Sequence, residues 1–260
     1  MQNFQPAQDT GNRPDLPVDD GKILYLKSYL VMRAVIGFIG LFLPIALLVG
    51  DILFLKGTTE ARGSLSAYYH SGMRDVFVGS LCVTALFLIT YKVFEKYREN
   101  VLSVIAGVAA LGVAWLPTGR PAGSTSPATP LQERLGEGLV TTLHFICAAI
   151  FILSLAVISY DFGKREGVRR SRQSTFSSTF WRWLHWSCAL AIVAAVLFML
   201  LSKLIDGFGG RNAILIGETV AGLAFGLSWL TKGLELRILR EPVHITPTGP
   251  APKEAVTPAS

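Results

Sequence analysis

Apolar residues gather along the chain into six runs, approximately Tyr29 to Gly50, Val76 to Val93, Val101 to Pro117, Leu139 to Tyr160, Trp183 to Leu204 and Ala213 to Thr231. A bilayer core about 30 Å thick is crossed by roughly 17 to 25 helical residues, because in lipid a backbone satisfies its hydrogen bonds only as a helix or a closed barrel. The runs have that length, and none shows the short alternating pattern of an outer-membrane strand. Gly and Ala are scattered through them as in packed membrane helices. The pattern predicts an all-α fold, a polytopic transmembrane bundle of about six helices occupying residues 25–240. The flanking segments 1–24 and 241–260 are polar, rich in Pro, and have the composition of disordered tails.

Two links carry features of their own. Asp51 to Asp75 contains GSLSAYYHSGMRD, which either extends the second helix or forms a short interfacial segment. TGRPAGSTSPATPLQERLGEG, after the third run, is rich in Pro, Gly, Ser and Thr and reads as a mobile loop.

Composition agrees with a lipid environment: 51% of residues are hydrophobic and 16% charged, and the mean hydropathy is +0.46. The formal charge of +6 does not point to nucleic acid, because Lys and Arg flank the apolar runs instead of forming a patch. Cys82, Cys147 and Cys188 all lie inside apolar runs without ligand spacing and read as packing residues. The first twenty residues lack a basic segment followed by an apolar one, so no cleaved signal peptide is expected.

Orientation follows from the rule that positive residues are retained in the cytoplasm. With the amino terminus inside, fifteen Lys and Arg fall on the cytoplasmic flanks and seven on the opposite ones. The expectation is a bacterial cytoplasmic (inner) membrane protein with both termini cytoplasmic and membrane lipids as its surroundings. Helices two, four and six then start at the outer face.

Those starts carry the unusual polar residues. His70 and Asp75 lie at the beginning of helix two, His144 lies about a turn into helix four, and Glu218 lies at similar depth in helix six. Small residues follow at helical spacing, Gly79 after Asp75, Ala148 after His144, and Gly222 and Gly226 after Glu218, so these faces are expected to point into the bundle. Intramembrane ionisable groups are functional candidates by default. Two imidazoles and a carboxylate, His70, His144 and Asp75, have the donor chemistry of a Zn²⁺ site, with Glu218 as general base. Ser66 precedes His70 by four residues, and an α-helix there would set its hydroxyl beside the imidazole for a catalytic or substrate-binding role. The same residues also suit plain structure: an Asp at a helix start complements the dipole, and a buried His or Glu can bond a neighbouring helix.

Other polar positions read as anchors. Tyr68 and Tyr69 fit an aromatic belt, His185 among Trp181, Trp183 and Trp186 fits an interfacial anchor, and Lys232 beside Trp229 fits a snorkelling cation. Gly222 and Gly226 form a GxxxG pair, expected first to pack helices within the chain and otherwise to join copies in a homo-oligomer.

The segments SLSAYYHSGMRDVFVGSL (Ser64 to Leu81) and GETVAGLAFGLSWLTKG (Gly217 to Gly233) resemble those of an uncharacterised family of bacterial six-helix membrane proteins. A more distant, partial resemblance is to the CREST superfamily of membrane hydrolases, which includes alkaline ceramidases and adiponectin-type receptors. That likeness rests on Ser66 and His70, matching a Ser and His four apart in an early helix, and implies zinc-dependent hydrolysis. The late pair of histidines that those proteins use as zinc ligands has no counterpart here, and six helices stand against their seven. Two functional expectations result: a metal-dependent hydrolase of a lipid or amphiphile with an outward-facing pocket, or a non-enzymatic protein that binds a lipid or small ligand, or in which the polar cluster stabilises helix packing.

Overall fold

Each apolar run becomes a helix, since its side chains offer the backbone no competing hydrogen bonds and its charges are confined to the ends. The computed structural model describes residues 20–54, 62–90, 97–121, 127–166 and 178–233. They form α1 (Asp20–Phe54), a 3₁₀ turn (Ser66–His70), α2 (Arg74–Thr90), α3 (Tyr97–Trp115), a short α4 (Pro130–Leu135), α5 (Glu137–Glu166), α6 (Ser178–Leu204) and α7 (Ala213–Gly233). No strand occurs among the described residues.

Among the described residues, five helices are long and apolar enough to cross a membrane: Leu30–Phe54 of α1, Arg98–Trp115 of α3, and the whole of α5, α6 and α7. The 17 residues of α2 span about 26 Å, slightly less than a bilayer core. Outward faces are apolar, as lipid requires: Phe38, Phe42 and Ile45 on α1, Phe145 and Ile146 on α5, and Leu190 and Leu197 on α6 are all exposed.

Several boundaries differ from those expected. α1 begins at Asp20, inside the segment assigned to the amino-terminal tail, while 1–19 and 234–260 lie outside the described residues. Of the two alternatives for the segment before α2, a helix extension and a short separate segment, the described residues have the second, a 3₁₀ turn over Ser66–His70 capped at Ser71. The loop after α3 contains α4, started by a capping box in which Thr129 and Gln132 bond reciprocally, with Pro130 at its first position.

The helices pack in antiparallel neighbours. α1 lies along α7, α5 along α3 and α6, and α2 against α3. The α1–α7 contact uses small residues: a methyl added at Gly226 would stand 2.8 Å from the Gly37 carbonyl oxygen and 2.8 Å from the Gly40 carbonyl carbon. The GxxxG pair is therefore used within the chain.

Candidate site in an interhelical cavity

The starts of α2, α5 and α7 meet at one end of the bundle, where the ends of α1 and α3 also arrive. The 3₁₀ turn lies across this end and is tied on from several sides. The Leu215 amide donates to the Gly63 carbonyl at 3.0 Å, Arg62 pairs with Asp51 at 3.2 Å, and the His70 imidazole bonds the Thr118 carbonyl at 2.8 Å. Beneath the turn is a cavity of about 120 Å³ to which all six long helices contribute. It lies where two apolar clusters meet, one containing Leu155, Ile192 and Phe225, the other Leu65, Phe77 and Val113.

Four polar side chains face this otherwise apolar space: Ser66, Thr84, His144 and Glu218. Glu218 arrives because the buried stripe of α7 recurs at helical spacing through Gly217, Ala221, Phe225, Trp229 and Lys232. Its carboxylate accepts hydrogen bonds from the Leu65 amide and, at 3.3 Å, from the Ser66 hydroxyl. Ser64 holds the turn in shape, its hydroxyl 3.1 Å from that of Ser66 and accepting from the Ala67 amide at 3.0 Å. His144 is 1% exposed and its Nδ1 lies 2.6 Å from the Leu116 carbonyl. A carbonyl can only accept, so Nδ1 carries the proton and fixes the end of α3 to α5.

Three of the five candidate site residues, Ser66, His144 and Glu218, thus line one cavity. His70 and Asp75 do not. His70 lines a separate, larger surface pocket of about 440 Å³ with Arg62, Tyr69 and Arg74. Its Nε2 donates to the Thr118 carbonyl at 2.8 Å, which also accepts from Gln132 at 3.2 Å. Ser66 and His70 are not stacked, because a 3₁₀ turn has three residues per turn and places positions four apart on different sides. Asp75 is exposed in the first turn of α2, and a methyl added at Gly79 would meet nothing within 4 Å, so that face looks outward.

A zinc ion needs three or four nitrogen, oxygen or sulfur donors at about 2.0–2.3 Å. Among the described residues no three His, Cys, Asp or Glu side chains come together to hold a metal ion. The residues present therefore do not fit the zinc site assembled from His70, His144 and Asp75.

A second polar cluster lies at the opposite end, and Lys232 and His185, for which the sequence predicts surface anchors, belong to it. Lys232 is 3% exposed and pairs with Glu166, which is wholly buried. Glu99 of α3 pairs with Arg165 of α5, and Arg98 with Asp161 at 3.7 Å. Arg33 is buried, with its guanidinium 4.7 Å from the centre of the Phe162 ring. His185 is also buried, its Nδ1 3.0 Å from the Ser228 hydroxyl, whereas the neighbouring Trp183 is exposed as an anchor should be. Tyr68 and Tyr69 are likewise buried beneath Arg62 and Arg74 instead of belonging to a surface belt. The signal that could have revealed Lys232 is its spacing from Ala221, eleven residues or about three turns, which puts both on the buried stripe of α7.

These features define a class, an all-helical protein with membrane-length helices and a polar-ended cavity between them. Compared with known proteins, the chain matches no family model, no curated protein and no solved structure.

Proposed function

We propose that the chain is a six-span protein of the bacterial inner membrane, with α2 as its sixth span and both termini cytoplasmic, and that it binds a small amphiphile in its central cavity without chemical conversion. The observation that carries this reading is the lining: apolar walls supplied by every long helix, with Glu218 and Ser66 at one end. Binding sites for small molecules have this composition, mostly apolar with a few placed polar groups. Volume limits the occupant. An apolar cavity of roughly 150 Å³ takes benzene, so about 120 Å³ suits a body of about four to six carbons and not a whole lipid.

Binding of 1-butanol to the purified protein, followed by calorimetry, tests this. Ala221, which is buried and lines the cavity, is the position to fill. The unaltered chain should bind saturably, and Ala221→Leu should weaken binding by about tenfold or more. Equal, non-saturating uptake by both would leave only partition into detergent. Metal analysis addresses the hydrolytic reading: one zinc per chain that disappears in a His70→Ala, His144→Ala double variant would reinstate it.

A further inference from the structure

Among the described residues, carboxylates removed from solvent are otherwise matched by basic side chains. Asp51 pairs with Arg62, Glu99 with Arg165, Asp161 with Arg98 and Glu166 with Lys232. Glu218 departs from that pattern. Its partners are a backbone amide and a hydroxyl, both neutral, and no basic side chain among the described residues pairs with it. A carboxylate in an apolar space is costly unless its charge is met.

The donors around the polar end are already engaged. The Leu65 amide and the Ser66 hydroxyl point at Glu218, and the His144 Nδ1 proton points at Leu116. What remains towards the cavity is mainly acceptor capacity, the other lone pairs of the carboxylate, one lone pair of the Ser66 hydroxyl and the His144 Nε2, together with the Thr84 hydroxyl, which can donate or accept. A ligand that fits must therefore bring donors and positive charge at one end and a short apolar body at the other. An ammonium group has three donors and no acceptor, and ion-assisted hydrogen bonds to carboxylate are about twice as strong as neutral ones.

We propose that the cavity's ligand is a small alkylammonium ion, its nitrogen held by Glu218 and Ser66 and its carbon chain by the walls at Phe77, Phe151 and Phe225. This rests on the cavity being a binding site and names the class of molecule it takes.

The experiment compares butylammonium, 1-butanol and butyrate on the full-length protein at equal concentration and near-neutral pH, with sodium chloride matching the ionic strength. Butylammonium should bind about tenfold more tightly than 1-butanol, and butyrate more weakly than either. Glu218→Gln, which keeps an acceptor for Leu65, should remove the preference for the cation while 1-butanol still binds. Equal affinity for butylammonium and 1-butanol would overturn the assignment and leave the cavity reading standing. The same holds if sodium chloride alone protects the protein from unfolding as well as butylammonium does. Saturable binding of none of the three would overturn both. The comparison among probes on the unaltered chain decides the matter even where Glu218→Gln fails to fold.

Discussion

Lys232 reaches Glu166 with almost none of either side chain exposed, and in such surroundings each charge depends on the other. Lys232→Met should lower stability by about 3–5 kcal/mol, with the Lys232→Met, Glu166→Leu double variant more stable than that single one; additive losses in detergent unfolding would contradict a coupled pair. His144 makes a different demand, because its loss strips a donor from the Leu116 carbonyl. His144→Ala should cost about 1–3 kcal/mol, and His144→Asn, whose amide nitrogen can occupy the place of Nδ1, should recover most of it. At this scale the sequence was only partly legible. The inward faces of Glu218 and His144 followed from small residues at helical spacing, but the same pattern failed at Asp75 and Gly79, where a small residue meets no neighbouring helix. Lys232 and His185 were misread because a cation or imidazole beside Trp near a helix end has the same local sequence whether it faces lipid or protein.

Among elements, the α1–α7 contact depends on missing side chains. Gly226→Ala should destabilise the protein by about 1–3 kcal/mol, since the added methyl meets the backbone of α1 at Gly37 and Gly40. Gly79→Ala, with open space around it, should be neutral or slightly stabilising because Ala favours helix. Equal losses in thermal unfolding of the two variants would contradict this packing. Helix positions were legible because apolar length is a strong signal: the carboxyl end of α6 and the start of α7 coincide with the runs. The 3₁₀ turn was not, because SAYYH carries no helix cap and its conformation is set by tertiary bonds from Glu218, Leu215 and Thr118 to the turn and the residues before it. That turn also decides the site, since it sends Ser66 into the cavity and His70 to the surface pocket.

For the whole molecule, the arrangement places one polar end under the 3₁₀ turn and one buried ionic cluster at the other end, with apolar packing between them. The excess of Lys and Arg on the second end makes it the cytoplasmic one in our proposal. A cysteine at Asp206, exposed between α6 and α7, should then react with a membrane-impermeant maleimide in intact cells, and one at Ser178, at the start of α6, only after permeabilisation; the reverse pattern would invert the topology. Function was less legible than fold, since convergence of three polar residues could be inferred from helix direction, whereas the cavity is a volume left by packing and has no sequence signature.

The claim that this volume is a binding site is tested most directly by photolabelling the full-length protein with a four-carbon alkyl diazirine and mapping the adducts by mass spectrometry. Adducts on Phe151, Ile152 and Phe225 that compete with 1-butanol and disappear in Ala221→Leu are the expected result. Adducts confined to the exposed Leu190, Leu197 and Leu204 of α6, unchanged by competitor or variant, would show that small amphiphiles meet this protein only as part of the bilayer.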